Sequence, residues 1–303
     1  VVGKNLIING AMQIAQRGTS FTADNVYTLD RWISTDGSGG TPARTTTQET
    51  FSLGQTDVPN AHYYLKHNQT GASTNGNAKL QQKVEDVTRF DGTTVTFSFY
   101  AKADSPLTVD VRLIQNFGTG GSPSTSVTVT ETGISIGTSW NKYTVTKTLG
   151  SLSGKTLGTD GEHTSYLDVI VDFKETSTFI FEATLFQLEK GLSATEFEHR
   201  PYTTEVQLCE RYYRRTGVIR FLTMGRFNQS TGQVYDWWVL SPAMRAAPTA
   251  TTDGNFKATS GYTGELLVTT TDVKGIRLVS TRNASASQIL YANEGELFID
   301  AEL

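Results

Sequence analysis

The chain reads as an all-β protein of two domains: an N-terminal jelly-roll β-sandwich over residues 1–202, a short linking amphipathic helix over 203–217, and a smaller C-terminal β-sandwich over 218–303. Three observations predict this. Apolar residues come in short runs that alternate with polar ones, as in Val95-Thr-Phe97-Ser-Phe99 and Val109-Asp-Val111-Arg-Leu113, the period of a sheet with one wet face. Glycine is abundant at 28 residues and proline scarce at 7, which suits strands and turns. Only one segment has a convincing helical period. With 303 residues the chain exceeds one small domain and can build a sizeable core.

The elements follow in order. Asn5-Leu-Ile-Ile-Asn9-Gly10 reads as a short buried strand closed by a turn signal, and Trp32 after Leu29 opens the next core element. Strand-like runs then recur between Gly, Asn, Asp and Ser turns at Thr45–Leu53, His62–His67, Lys79–Glu85, Thr93–Lys102, Leu107–Phe117, Trp140–Thr148, Tyr166–Phe173 and Thr178–Leu188. Loops 37–42, 70–77 and 117–125 are Gly/Ser/Thr-rich, lack apolar anchors and read as surface connections.

After Leu188 the period changes. Gly191 breaks the strand, Arg200-Pro201 disfavours helix at the residue before the proline, and Thr204 with Gln207 three residues on forms a capping box. The helix that follows puts Val206, Cys209 and Tyr213 on one stripe with Leu208 and Tyr212 beside it. Glu205 stands at its positive end, Arg214 and Arg215 at its negative end, and Gly217 stops it. About three turns are marginal alone, so the stripe is expected to clamp two β domains or neighbouring subunits.

Beyond Gly217 strands are expected at Val218–Thr223, Gln233–Leu240, Ala247–Thr252, Gly264–Thr271, Gly275–Ser280, Gln288–Ala292 and Glu296–Leu303, with 242–248 a turn. In Tyr235-Asp236-Trp237-Trp238 the two tryptophans face opposite ways, so one belongs to the core. The other side, carrying Trp237 and Tyr235, suits either an oligomer interface or stacking on a sugar ring, with Asp236 or Asn228 binding hydroxyls.

Composition narrows the function classes. Net charge is −4, and residues 203–303 carry 10 basic and 10 acidic side chains, so charge does not point to nucleic acid in either part. Arg211, Arg214, Arg215, Arg220 and Arg226 cluster locally and read as helix-end compensation and interface ion pairs. The single cysteine, Cys209, excludes an intrachain disulfide framework and cysteine-based zinc sites, and its place on the stripe makes it a small hydrophobe. No apolar run reaches the length of a membrane-spanning helix, so no membrane insertion is expected. The chain opens at Val1 without a leader, as a fragment or processed product of something longer would.

Strings that resemble catalytic motifs fail on context. Gly133-Ile-Ser135-Ile-Gly137 has the spacing of a nucleophile elbow, with Asp172 and His199 following in hydrolase order, but a strand rather than a helix follows it. Gly150-Ser-Leu-Ser-Gly154-Lys155-Thr156 is one residue short of a phosphate loop and leads into no helix. His62, His67, His163 and His199 lack ligand spacing. Asp168 and Asp172 share a face of their strand, and Asp110 and Arg112 share one of theirs, which reads as solvated sheet face rather than as an acid–base pair. The glycosylation-type triplets at Asn68, Asn228 and Asn283 are given no function. No catalytic residue, metal or cofactor is expected.

NLIINGAMQIAQRGTSF, YTLDRW, FSFYAKAD, VRLIQNFG, WNKYTVT and FQLEKGLSATEFEHRPYTTEVQLCERYY, in this order over about residues 5–215, together resemble the carbohydrate-binding-module-like jelly roll of bacteriophage tail-fibre proteins. The MRAAPT segment at 244–249 adds to the resemblance. It implies a non-enzymatic virion protein, commonly homotrimeric, assembled with other tail proteins near the host-recognising end and adhering to host polysaccharide or lipopolysaccharide. Related jelly rolls hold a structural calcium beside an acidic residue after Asn-Gly; here that residue is Ala11, which leaves Glu189 without a partner. Two other readings stand beside this one: a purely structural fibre, connector or head-fibre component without sugar binding, and a binding module of a polysaccharide depolymerase.

Overall fold

The computed structural model describes residues 3–35, 44–71, 78–160, 164–174, 176–217, 222–223, 226–228, 233–253, 267–281, 290–291 and 295–302. Loops 37–42 and 72–77, His163, Arg220, and parts of the strands expected at 218–223, 264–271 and 288–292 lie outside the described residues. The chain divides into two compact units, Val1–Val206 and Gln207–Glu302.

The first unit carries β1 (Ser20–Phe21), β2 (Val26–Tyr27), β3 (Ile33–Thr35), β4 (Arg44–Thr50), β5 (Tyr63–Gln69), β6 (Lys79–Glu85), β7 (Thr94–Ala103), β8 (Leu107–Asn116), β9 (Val127–Ile136), β10 (Asn141–Thr148), β11 (Tyr166–Phe173) and β12 (Phe179–Lys190). They form two six-stranded antiparallel sheets, sheet A in the order β1-β4-β5-β12-β7-β10 and sheet B in the order β2-β3-β6-β11-β8-β9. The inner faces enclose one core. Phe97, Phe99, Phe181 and Phe186 come from sheet A, Leu80, Val111, Leu113, Val169, Val171 and Phe173 from sheet B, with Trp32 also buried in it. This is the predicted jelly-roll sandwich. The alternation in β7 and β8 has its cause here, since only every second residue reaches that core.

Two expectations need correction. β9 went unread because Thr, Glu, Gly and Ser dilute its apolar residues, and it contains Gly133 and Ser135. Gly133 (φ +72°) sits where the β8–β9 register shifts, and its amide donates to Asp110 Oδ1 at 3.0 Å, so the apparent elbow is a β-bulge in an edge strand. Residues 5–10 are not a strand. They are irregular backbone that the Leu6 amide, donating to the Leu188 carbonyl at 2.8 Å, holds against β12.

The residues carrying the family resemblance tie this segment down. Asn9 Nδ2 donates to the Ile14 and Asp30 carbonyls, its Oδ1 accepts the Ile14 amide at 2.9 Å, and Trp32 Nε1 donates to the Asn9 carbonyl. Asp30 takes the Gln16 amide and side chain at 2.7 and 2.6 Å; burial, the largest influence, still leaves its carboxyl raised. Gly10 answers the closeness of β12, because a Cβ there would lie 2.1 Å from the Phe186 carbonyl oxygen. Gly10→Ala should therefore destabilise the first unit by about 1–3 kcal/mol, measured by chemical denaturation.

The second unit begins within the helix and is otherwise β. α1 runs Tyr202–Glu210, not 203–217. It starts one residue early, the Glu205 amide donating to the Pro201 carbonyl at 3.1 Å, so Thr204 lies inside the helix and does not cap it. It ends early because Tyr213 and Arg214 are taken by β13 (Tyr213–Arg215), which pairs with β21 (Leu297–Asp300). Of the expected stripe, Val206, Leu208 and Cys209 lie on the helix while Tyr212 is in a turn and Tyr213 in a strand. Cys209, Tyr212 and Tyr213 are buried, Val206 and Leu208 half-buried. Arg214 and Arg215 accordingly do not cap the helix; they pair with Glu210 and Glu296. The remaining strands are β14 (Leu222–Thr223), β15 (Arg226–Asn228), β16 (Gln233–Val239), β17 (Thr249–Thr252), β18 (Leu267–Asp272), β19 (Gly275–Thr281) and β20 (Leu290–Tyr291). They form sheets ordered β13-β21-β17, β14-β20 and β15-β16-β19-β18.

Candidate functional site

The outer face of sheet B is where polar chemistry is buried away from the core. On β11, Leu167, Val169 and Val171 point inward, so Asp168, Ile170 and Asp172 point outward; register places Lys83, Gln81 and Lys79 of β6 beside them on one side and Ile114, Arg112 and Asp110 of β8 on the other. The expected solvated face is not what forms. Ile170 is 2% exposed, Asp172 3%, Gln81 7%, Asp110 8% and Asp168 9%, although none belongs to the inner core. Tyr166, Lys79, Lys83, Arg112, Ile114 and Asn116 are half-buried around them, so the middle of the face is a sunken row inside a frame of longer side chains. Alternation along a strand predicts which residues point outward, but not how long their neighbours' side chains stand above them.

The two ends of this row differ. Asp110 and Asp172, directly opposite one another, share Lys174 Nζ at 3.1 and 3.0 Å, and Arg112 Nε lies 3.2 Å from Asp172 Oδ2, a charge contact without hydrogen-bond alignment. That end is an ion cluster. At the other end Asp168 Oδ1, and in the middle, opposite Ile170, Gln81 Oε1, are buried with no hydrogen-bond partner, as is Asp172 Oδ1 within the ion cluster. Burial pushes the Asp168 carboxyl up to about 6, partly offset by the positive charges of Lys83, Lys79 and Arg112, and Lys83 is drawn 4.8 Å over the Tyr166 ring. Burial and the Asp168 charge both raise the Tyr166 hydroxyl. A buried acceptor without a donor costs about 1–3 kcal/mol. Two of them on adjacent strands, beneath a frame of longer lysine, arginine and tyrosine side chains, suit hydroxyl donors that reach them when that frame opens, with Tyr166 at the rim offering an aromatic face.

The residues expected at a sugar site lie in the second unit. Trp237 is 45% exposed and Val239 63%, while Trp238 packs against the core formed by Leu240, Met244, Ile276, Leu297 and Ile299. Trp237 lies over Gly275, where an added Cβ would come within 2.4 Å of its ring. The backbones of Asn228, Tyr235 and Asp236 are in β15 and β16, but their side chains lie outside the described residues.

The enzyme-like residues are dispersed. Ser135 is exposed on β9, and Lys155 sits in a loop 5.6 Å over the Phe117 ring. Glu189, the acidic residue of the final strand, accepts the Thr195 amide at 2.8 Å, the Thr195 hydroxyl at 2.9 Å and Gln187 Nε2 at 2.9 Å. Burial alone would raise its carboxyl, but these donors bring it below the usual range. With Ala11 after Asn9-Gly10 in place of a carboxylate, the residues present do not fit the ion, and no group of three His, Cys, Asp or Glu side chains suited to a metal occurs among the described residues.

Compared with known proteins, the chain matches no family model and no curated protein. Among solved structures it is similar to the N-terminal cellulose-binding domain of Cellulomonas fimi β-1,4-glucanase C, at 15% identity over 58% of this chain and 97% of that one, TM-score 0.37. It is similar to the CBM22-1 xylan-binding domain of Paenibacillus barcinonensis Xyn10C, at 14% over 58% and 94%, TM-score 0.34. It is also similar to the enzymatically active domain of bacteriophage CBA120 tailspike protein 4, at 15% over 62% of this chain but 22% of that one, TM-score 0.36.

Proposed function

We propose that this chain is an adhesion protein of a bacteriophage tail fibre that binds host-surface polysaccharide or lipopolysaccharide along the outer face of sheet B, without turning it over. One observation carries the glycan reading: Asp168 Oδ1 and Gln81 Oε1 are buried and unpartnered on a sheet face that takes no part in the core. Sugar hydroxyls supply the missing donors once the framing Lys79, Lys83 and Arg112 side chains swing aside, and the half-buried Tyr166 meets the apolar side of a ring. The virion role rests on the ordered sequence resemblance over residues 5–215. Single-site binding of this kind is weak, and a homotrimer repeated over several fibres gains through effective concentration.

The test is to measure binding of the purified full chain to immobilised capsular polysaccharides and lipopolysaccharides, with its mass in solution determined by light scattering. A trimer that holds at least one glycan, and loses it in Gln81→Leu, is the expected result. A folded chain that binds none of them contradicts adhesion and leaves the purely structural virion component as the better account.

A further inference from the structure

Sheet A has a cleft of its own on its outer face, of about 220 Å³. Leu185, Tyr100, Phe197 and Pro59 form its apolar surfaces; Ser98, Asn60, Lys142, Glu196 and His199 bring polar groups to it. The cleft is built from an irregularity. β12 bulges between Thr184 and Gln187, and Leu185 adopts φ +54°, which turns its side chain outward onto Val58 and Ala61 while Phe186 stays in the core. Phe51, Tyr64 and Trp140 pack together nearby, with ring centroids 4.8–5.5 Å apart, and Phe51, Tyr100, Trp140 and Phe197 all pack against the Val58–Ala61–Leu185 cluster. Strained residues and bulges are found where a strand is re-aimed toward a ligand.

The polar groups are matched in charge and mixed in kind. Lys142 Nζ already donates to the Thr195 carbonyl at 2.8 Å, and the Glu196 carboxylate stands in the same cleft, so no surplus charge is available to hold an anion. Ser98, 2% exposed, offers a hydroxyl; Asn60 offers both a donor and an acceptor. Burial, with His62 nearby, lowers the His199 imidazole, which keeps it neutral and able both to donate and to accept. The volume lies below the range of about 300–1,000 Å³ usual for drug-sized ligands, which suits one ring and not a chain.

We propose that this cleft is a second binding site, for a single uncharged sugar ring at the end of a saccharide, its C–H face on Tyr100 and Phe197 and its hydroxyls on Ser98, Asn60 and His199. The site is separate from the outer face of sheet B, so, on the reading proposed above, one copy of the chain engages a glycan both along its length and at a chain end.

Saturation-transfer NMR on the full chain tests this with glucose, galactose, mannose and N-acetylglucosamine, and with glucuronate as the charged control. A neutral sugar is expected to receive saturation, glucuronate much less. Ser98→Val and Phe197→Ala should each weaken binding about tenfold or more, and Asp168→Leu should leave it unchanged. Asn60→Ala, on an exposed residue at φ +52°, which alanine takes at a cost of about 1–2 kcal/mol, gives a further variant, and only variants with a cooperative thermal transition are scored. Transfer to none of the neutral sugars overturns the proposal. So does transfer that survives Ser98→Val and Asn60→Ala, and so does transfer lost in Asp168→Leu alone, which would move the sugar to sheet B.

Discussion

Arg200→Ala should cost the first unit about 3–5 kcal/mol, with Tm lowered by about 10 °C or more. Arg200 Nη1 lies 3.1 Å from Glu205 Oε2, with side-chain exposures of 11% and 5%, so this is a buried ion pair. Arg200 also donates to the Ile7 carbonyl at 3.1 Å and to the Asn5 carbonyl, while Glu205 accepts the Asn9 amide. Asn5 in turn donates to the Phe186 carbonyl and accepts the Leu188 amide. Removing the arginine thus leaves a buried carboxylate uncompensated and releases the N-terminal segment from β12 at the same time. Glu205→Ala should cost a similar amount by stranding the guanidinium. Chemical denaturation measures both, and a loss below about 1 kcal/mol in each would mean that the Arg200–Glu205 pair does not hold the N-terminal segment.

Asp168→Leu should do two opposite things: weaken glycan binding by about tenfold to a hundredfold and make the protein more stable at neutral and alkaline pH. The direction follows from the raised carboxyl. Below the ordinary carboxylate value of 3.8, Asp168 is protonated folded and unfolded, and its burial has no charge cost. Between 3.8 and about 6 the unfolded state ionises first, so stability falls as pH rises, until above 6 the full cost is present, about 3 kcal/mol. Denaturation curves of the variant should match wild type near pH 4 and exceed it near pH 8. Sugar hydroxyls donate to the ionised form, so glycan affinity of the wild type should fall as pH drops through 6. Lys79 and Lys83 on β6, Arg112 on β8 and Asp172 and Tyr166 on β11 face the same row, and of these Tyr166 is raised further above its ordinary range. Equal stability of variant and wild type at pH 8 would mean that Asp168 is not held at a cost.

Most of the sandwich was legible because its strands obey one rule. β7, β8, β11 and β12 each lie within two residues of where their alternation predicts, although the bulge in β12 exchanges its two faces after Thr184, putting Leu185 outside and Phe186 in the core. β9 escaped because an edge strand half exposed on both faces has no apolar period to read. The helix was misplaced for a different reason: residues 211–215 have acceptable helical chemistry, but pairing with β21, far off in sequence, draws Tyr213–Arg215 into a sheet. The same limit hid the candidate site. The sequence points to Trp237 because a paired tryptophan is conspicuous, whereas the importance of Asp168 lies in what its neighbours on β6 and β8 fail to donate. That is a property of the register between strands, and the one available signal was a carboxylate spaced to share a face with Asp172.

The claim that sheet B holds the glycan is tested most directly by isoleucine-methyl NMR of the full chain, titrated with the polysaccharide or lipopolysaccharide oligosaccharide that binds the immobilised protein. Ile170, Ile114 and Ile33 lie on the outer face of that sheet, and Ile299 lies in the core of the second unit. The account predicts shifts at Ile170 and its two neighbours, with Ile299 unmoved and the shifts abolished by Asp168→Leu. A ligand that binds while leaving Ile170 unshifted, or that shifts only residues around Trp237, would contradict it.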